Sequence, residues 1–208
     1  IARASALSLA SSDHLETGDL LGFHAQAREV LAATGVGLNV VISDLQGQQL
    51  LNTLKHPGEP LPHHGNPTSV LGVLTSGQAM ISSIYTGGVL GRPVLSVDVP
   101  VWRNGQVHQV LSLGLLPREF DGILATQRFP DEQLAAIFDA EGTIAARTIA
   151  PDVVQRAEAA NQPVFRWKLL AGFASLAAVV AVADQKSRPA RCIGRLALQA
   201  RRWSQASW

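Results

Sequence analysis

The sequence predicts a mixed α/β (α+β) fold, helices laid on a central antiparallel sheet, and three observations predict it. Apolar residues recur at helical spacing near the start of the chain and in strand-length runs further on. Two of those runs, Pro93–Trp102 and Gln106–Leu115, flank Asn104-Gly105, the strongest short hairpin signal. Finally, 47% of the 208 residues are hydrophobic but only 5% are aromatic, so the core must be built from Val, Leu, Ile and Ala. That composition excludes a disordered chain, and the length suits one large domain or two small ones.

Ile1–Ala10 has helical composition and ends at the interrupting Ser11, Ser12 and Asp13. A second helix follows, with Thr17 or Asp19 as its cap, Leu20, Phe23, Ala27, Val30 and Leu31 on one face, and Gly35 and Gly37 as its stop. Leu38 to Leu54 reads as strand, turn and strand, bent at Asp44-Leu45-Gln46-Gly47, where Asp caps the turn and Gly takes the positive φ. Lys55 to Asn66 holds three prolines and reads as a loop, and Pro67 to Ser76 as a short helix closed by Gly77.

Three strands come next, Ala79–Tyr85, Pro93–Trp102 and Gln106–Leu115, and then a helical exit from Pro117 to Gln127. An unbroken ladder from the Asn104-Gly105 turn pairs Arg103 with Gln106, Trp102 with Val107, Asp98 with Leu111 and Ser96 with Leu113. In that register Ser96, Asp98, Gln109, Leu111 and Leu113 share one face, while Val97, Val99, His108, Val110 and Ser112 share the other. Both faces are then largely apolar and both need a cover.

The chain repeats itself. Residues 42–53, ISDLQGQQLLNT, align without gaps on residues 137–148, IFDAEGTIAART. Each copy is an apolar strand, an Asp-x-x-Gly turn, a second strand and a closing Thr. Two such hairpins, each after a helix-like segment, predict a tandem of related lobes.

The formal charge of +1 conceals an asymmetry. Six basic residues follow Asp184, leaving 11 basic against 15 acidic residues in 1–183, a charge of about −4. A body so charged has no footprint for nucleic acid. Cys192 is the only cysteine, so neither an internal disulfide nor a thiolate metal cluster is available. The chain starts at Ile1 without a Met and reads as a fragment.

Val41–Thr53, Phe138–Thr148 and above all Gly91–Val101 (GRPVLSVDVPV) with Leu111–Pro117 (LSLGLLP) resemble the double Cache sensor domains of bacterial histidine kinases and similar receptors. Those domains are two stacked PAS-like lobes on a long N-terminal helix. The resemblance implies the end of a stalk helix at 1–17, a membrane-distal PAS-like lobe at 18–128, and the incomplete start of a membrane-proximal lobe at 129–164. It also implies a periplasmic, extracytoplasmic position between two membrane helices, a homodimer in the full-length receptor, and a small polar solute bound in the distal lobe. No cofactor is implied, and any catalytic output lies beyond this chain.

Residues 165–208 depart from that pattern. Leu169–Ala183 lacks charge and a basic run follows it, while the second lobe needs several more strands than the sequence shows. Three readings stay open: a membrane-crossing helix, short at about 22 Å; a buried helix; or a tail that does not continue the family's sequence.

Enzyme motifs are nearly absent. Ser76 lacks the glycines of a nucleophile elbow, Gly35-x-Gly37 precedes a strand where a dinucleotide site needs it to follow one, and His63-His64 reads as a solvated turn in a Pro-rich loop. The candidate ligand-binding residues are Ser83, Tyr85, Ser96, Asp98 and Gln109. Asp98 interrupts an apolar strand and requires a partner, either a ligand or an internal hydrogen bond. Tyr85, the only tyrosine, suits a pocket wall or a packed rim. Ser83 and Ser96 offer hydroxyls.

Relatives that bind amino acids carry an Asp two residues after this tyrosine, where this chain has Gly87. Their upstream Arg-x-x-Trp is missing too, so the resemblance implies a ligand other than a common amino acid. Arg92 lies in a turn and is expected to be exposed. Two other function classes remain: a small hydrolase or metal-dependent enzyme, which requires His63, His64 and Asp98 to converge within about 5 Å, and a structural dimerisation module, which predicts an apolar patch and no pocket.

Overall fold

The computed structural model describes residues 1–126, 133–147 and 179–184. It divides into two compact units, residues 1–117 and 118–208. In the first unit α1 (Ala2–Ala10), α2 (Asp13–Thr17) and α3 (Leu20–Thr34) precede β1 (Asn39–Ser43) and β2 (Gln49–Asn52). Then come α4 (Pro67–Ser76), β3 (Met80–Ile81), β4 (Tyr85–Thr86), β5 (Pro93–Arg103) and β6 (Gln106–Leu115).

Local chemistry sets these boundaries. Ser12 caps α2 by accepting from the His14 N–H, and Asp19 caps α3 by accepting from the Gly22 N–H. Asn66 caps α4 the same way, with Pro67 at its first turn. Gly18, Gly35 and Gly77 end the three helices in the left-handed region.

The sheet of this unit runs β2-β1-β6-β5-β3, with β4 also on β5, and every pairing is antiparallel. Asn104 and Gly105 both adopt positive φ, the type I′ geometry of a two-residue hairpin. The register, however, is not the unbroken one. Trp102 pairs with Val107 but Val101 pairs with Gln109, so His108 is an extra residue and the ladder slips by one. Asp98 therefore faces Ser112 instead of Leu111, and Ser96 faces Gly114 instead of Leu113.

A second bulge, between Ile42 and Ser43, sets Ser43 opposite Gln49 while Val41 stays opposite Asn52. The two bulges decide which side chains share a face, since a one-residue slip sends every side chain to the other side. One face carries Val40, Ile42, Val97, Val99, Leu111 and Leu113, at most 3% exposed, and α1 and α3 cover it. The other is mixed: it gathers the buried polar side chains of Asn39, Ser43, Gln49, Asn52, Ser96, Asp98 and Ser112 with the apolar Val41, Val94 and Val110. The expectation of two apolar faces was wrong for this one. Above it α4 packs Val70 and Val73 on Val110.

The strand expected over Ala79–Tyr85 is broken. Only Met80–Ile81 and Tyr85–Thr86 pair with β5 as strands; the Ser82 N–H still donates to the Ser96 carbonyl at 2.9 Å, and the irregularity falls between Ser82 and Tyr85. The exit helix begins as a 3₁₀ turn, Pro117–Phe120, and continues as α5, Asp121–Thr126; Gln127 lies outside the described residues.

In the second unit β7 (Gln133–Phe138) pairs with β8 (Ile144–Arg147) and with β9 (Val179–Asp184), both antiparallel. Leu124, Ile137 and Ala146 form its core with Phe120 and Ala145. The repeat holds down to the hydrogen bonds. Asp44 Oδ1 accepts from the Gln46 and Gln48 N–H groups at 2.9 Å, and Asp139 Oδ1 from Glu141 at 3.0 Å and Thr143 at 2.8 Å. The bulge recurs too, between Ile137 and Phe138.

Strand β9 corrects the reading of the tail: residues 179–184, which include the end of the Leu169–Ala183 run, are a strand and not part of a helix. The rest of that run and the basic end lie outside the described residues. Among the described residues no helix is long and apolar enough to cross a membrane.

Candidate ligand pocket

On the mixed face of the first unit, between the sheet and its cover, lies a cavity of about 30 Å³. Its floor includes Asn39, Gln49 and Asn52 with Ser112 and Gly114, and its walls include His64, Gly65, Tyr85 and the 87–90 turn. The floor carboxamides form a chain. The Leu54 N–H donates to Asn52 Oδ1 at 3.1 Å, which identifies that atom as the acceptor, and Asn39 Nδ2 donates to it at 3.1 Å as well. Asn52 Nδ2 then donates to Gln49 Oε1 at 2.9 Å, and Gln49 Nε2 to the His63 carbonyl at 3.3 Å.

His64 was misjudged from the sequence. Only His63 is exposed; His64 is 5% exposed and stands over the cavity, its ring tilted on Tyr85 with centroids 5.5 Å apart. Nδ1 lies 3.1 Å from both the N–H and the carbonyl of Asn66, contacts that suit either tautomer, which leaves Nε2 as the ring's other polar atom. That atom is buried without a hydrogen-bond partner, and so is Ser112 Oγ. Buried polar atoms are almost always bonded, so two orphans lining one cavity point to something that binds there. A histidine next to prolines in a loop gives no sequence signal of burial, and Ser112 was assigned to the other face by the unbroken register.

Beside the cavity, Tyr85 donates to Ser96 Oγ at 3.3 Å, and Ser96 Oγ donates to Ser82 Oγ at 3.2 Å. Ser82 Oγ also accepts from the Ser96 N–H at 2.8 Å, so Ser82 and not Ser83 makes this contact; the β3 register, continued by the Ser82 N–H to the Ser96 carbonyl, sets Ser82 opposite Ser96. Asp98 is fully buried, accepts the Ser69 hydroxyl on Oδ2, and has no partner on Oδ1. Of the five candidate residues, Tyr85, Ser96 and Asp98 come together. Gln109 pairs with Val101 and lies on the opposite face, moved there by the bulge. Arg92 is exposed.

Burial raises the Tyr85 hydroxyl to about 12, the Asp98 charge adds to the rise, and the Ser96 hydrogen bond opposes it. The folded-state value lies above that of the unfolded chain, so the stability this neutral hydroxyl confers is complete below pH 10 and is lost as pH rises toward 12. Comparing unfolding free energies of the wild type and Tyr85→Phe across that window should show an excess loss of about 2 kcal/mol in the wild type. Parallel curves would mean that Tyr85 titrates as in the unfolded chain.

Among the described residues no three His, Cys, Asp or Glu side chains are grouped to hold a metal ion. The presence of a cavity, with Val41, Leu54 and Val94 beside its polar groups, runs against the structural dimerisation reading, which predicted none.

An antiparallel sheet with helices packed on it is consistent with the PAS-like, Cache-type fold of sensor domains. Solved structures with this fold include the ligand-binding domain of the Campylobacter jejuni chemoreceptor Tlp3 in complex with L-norvaline, at 16% identity and a TM-score of 0.55, covering 78% of this chain and 62% of that one. The extracellular domain of a candidate histidine kinase, mmHK1S-Z2, matches at 17% identity and TM-score 0.52, over 69% and 62% of the two chains. An extracellular ligand binding receptor from Desulfohalobium retbaense matches at 17% and 0.57, over 74% of this chain but 30% of its own. The chain thus spans under two thirds of each of these three structures. No family model and no curated protein matches the sequence.

Proposed function

We propose that this chain is the extracytoplasmic, periplasmic sensing part of a bacterial transmembrane signalling receptor such as a histidine kinase, and that it binds a small polar solute. The observation that carries the reading is the pair of orphaned buried atoms, His64 Nε2 and Ser112 Oγ, lining a cavity on the face opposite α1. Tyr85 and the carboxamide chain complete the binding surface, while Ser96, Asp98 and Ser69 brace it from beside. In this reading residues 1–17 end a stalk, 18–128 form the membrane-distal lobe and 129–164 begin a membrane-proximal one. Membrane helices flank the sensor, and the full receptor is a homodimer.

Solute binding closes the cover of α4 and residues 85–91 on the sheet, and the strands pass the displacement to α1 on the other face. The chain performs no catalysis; the signalling output belongs to the rest of the receptor.

A thermal-shift screen of the full chain against amines, carboxylates, sugars, nucleobases and amides tests this. A solute at 100 times its dissociation constant stabilises by about 2.7 kcal/mol, a shift of several degrees. A shift that Ser112→Val removes is the expected result; silence across the panel from folded protein would overturn the sensor reading.

A further inference from the structure

Resting on that reading, we infer the chemical class of the solute: it is uncharged, has a few heavy atoms, and presents a hydrogen-bond acceptor beside a donor, as the C=O and N–H of a primary amide or a ureide do. Among the described residues that line the cavity, no side chain carries Lys, Arg, Asp or Glu chemistry. A zwitterionic amino acid entering it would find no cation for its carboxylate, and a desolvated charge without a partner is strongly unfavourable.

The polar groups present set the complementary pattern. Asn39, Asn52 and Gln49 already engage one another, so they shape the floor and leave His64 and Ser112 to select the ligand. His64 Nε2 donates in one tautomer and accepts in the other, and an amide, which carries both a C=O and an N–H, satisfies it in either. Ser112 sits directly across the ladder from Asp98, whose Oδ1 is also unpartnered. Cross-strand neighbours have Cβ atoms about 5 Å apart, so the carboxylate's field reaches the Ser112 end of the cavity. That field favours a ligand N–H there and disfavours an anion.

Size agrees. One water occupies roughly 10–15 Å³ of such space, so 30 Å³ admits two or three waters or a solute of similar bulk.

Acetate, acetamide and acetamidinium share one shape and differ in charge, and titrating the full chain with each by ¹H–¹⁵N NMR separates the possibilities. Acetamide should bind at least about tenfold more tightly than either ion, a difference of one paired against one unpaired buried group. Ser112→Ala and His64→Gln should each weaken acetamide about tenfold with unchanged circular dichroism. Should either variant fail to fold, the three probes on the wild-type protein still decide. Tightest binding by acetate or acetamidinium would overturn the uncharged class and leave the sensor reading standing. The same holds if all three fail while a sugar or nucleobase from the wider panel binds. If the whole panel is silent, both readings fall together.

Discussion

Gly65→Ala is expected to abolish solute binding while most of the fold survives. A Cβ at this position would fall on the Thr86 carbonyl oxygen and within 2.9 Å of the Tyr85 ring. Neither is the free end of a flexible side chain. Thr86 belongs to β4, which is paired to β5 through Tyr85–Val94 and Thr86–Pro93, and Tyr85 is anchored through Ser96. Relief must come from the 62–66 segment lifting off, and that segment carries His64. Overpacking of this kind costs about 1–3 kcal/mol, which guanidinium unfolding would measure. The binding loss would appear as the disappearance of the thermal shift given by whichever solute the screen identifies. Wild-type affinity in this variant would show that the segment is not a wall of the pocket.

Ser69→Ala should destabilise the chain by about 2–3 kcal/mol, because hydrogen bonds to a charged group are the strong ones and the group left behind is buried. Ser69 supplies the described hydrogen bond to Asp98, and no described cationic group pairs with that carboxylate. The helix itself gains slightly from Ala, by less than about 0.5 kcal/mol, so propensity does not mask the effect. In an Asp98→Asn background the acceptor is neutral, and the same change should cost only about 1 kcal/mol. The coupling of about 1–2 kcal/mol from this double-mutant cycle isolates the charge. Equal costs in both backgrounds would mean that Ser69 does not stabilise an ionised Asp98. The Asp98→Asn substitution should also bring the Tyr85 hydroxyl back toward its ordinary value, since the carboxylate is one cause of its rise.

These two positions show how the site divides between chain and fold. Ser69 and Asp98 lie on different elements 29 residues apart, and Gly65 and Thr86 meet only when the Pro-rich loop folds over β4. Sequence reasoning singled out Asp98 because a carboxylate amid Val and Pro needs a partner, but that partner lies on α4, outside any local pattern. Tyr85 stands out as the only tyrosine, suited to a pocket wall or a packed rim, and Ser96 as a hydroxyl on the strand of Asp98. Ser82 takes the place expected for Ser83 because an irregularity between Ser82 and Tyr85 shifts the alternation: Ser82 follows the register of Met80, and Tyr85 starts a new one opposite Val94.

The sequence by itself determined the elements whose causes are local. Asp19 and Asn66 with Pro67 start α3 and α4, and Gly35 and Gly77 stop them. Asn104-Gly105 makes the hairpin, and Asp-x-x-Gly makes both repeated turns. Each depends on φ preferences and side-chain hydrogen bonds within a few residues. What the tertiary structure decided is which side of the sheet each residue occupies. The extra residue at His108 and the bulge at Ile42 respond to packing on both faces at once, and no turn signal announces them. Those slips moved Ser112 beside Asp98, sent Gln109 away and gathered the carboxamides under one cavity. Burial of His64 has the same origin: its neighbours in sequence are polar and turn-forming, whereas its neighbours in space are Tyr85 and the sheet.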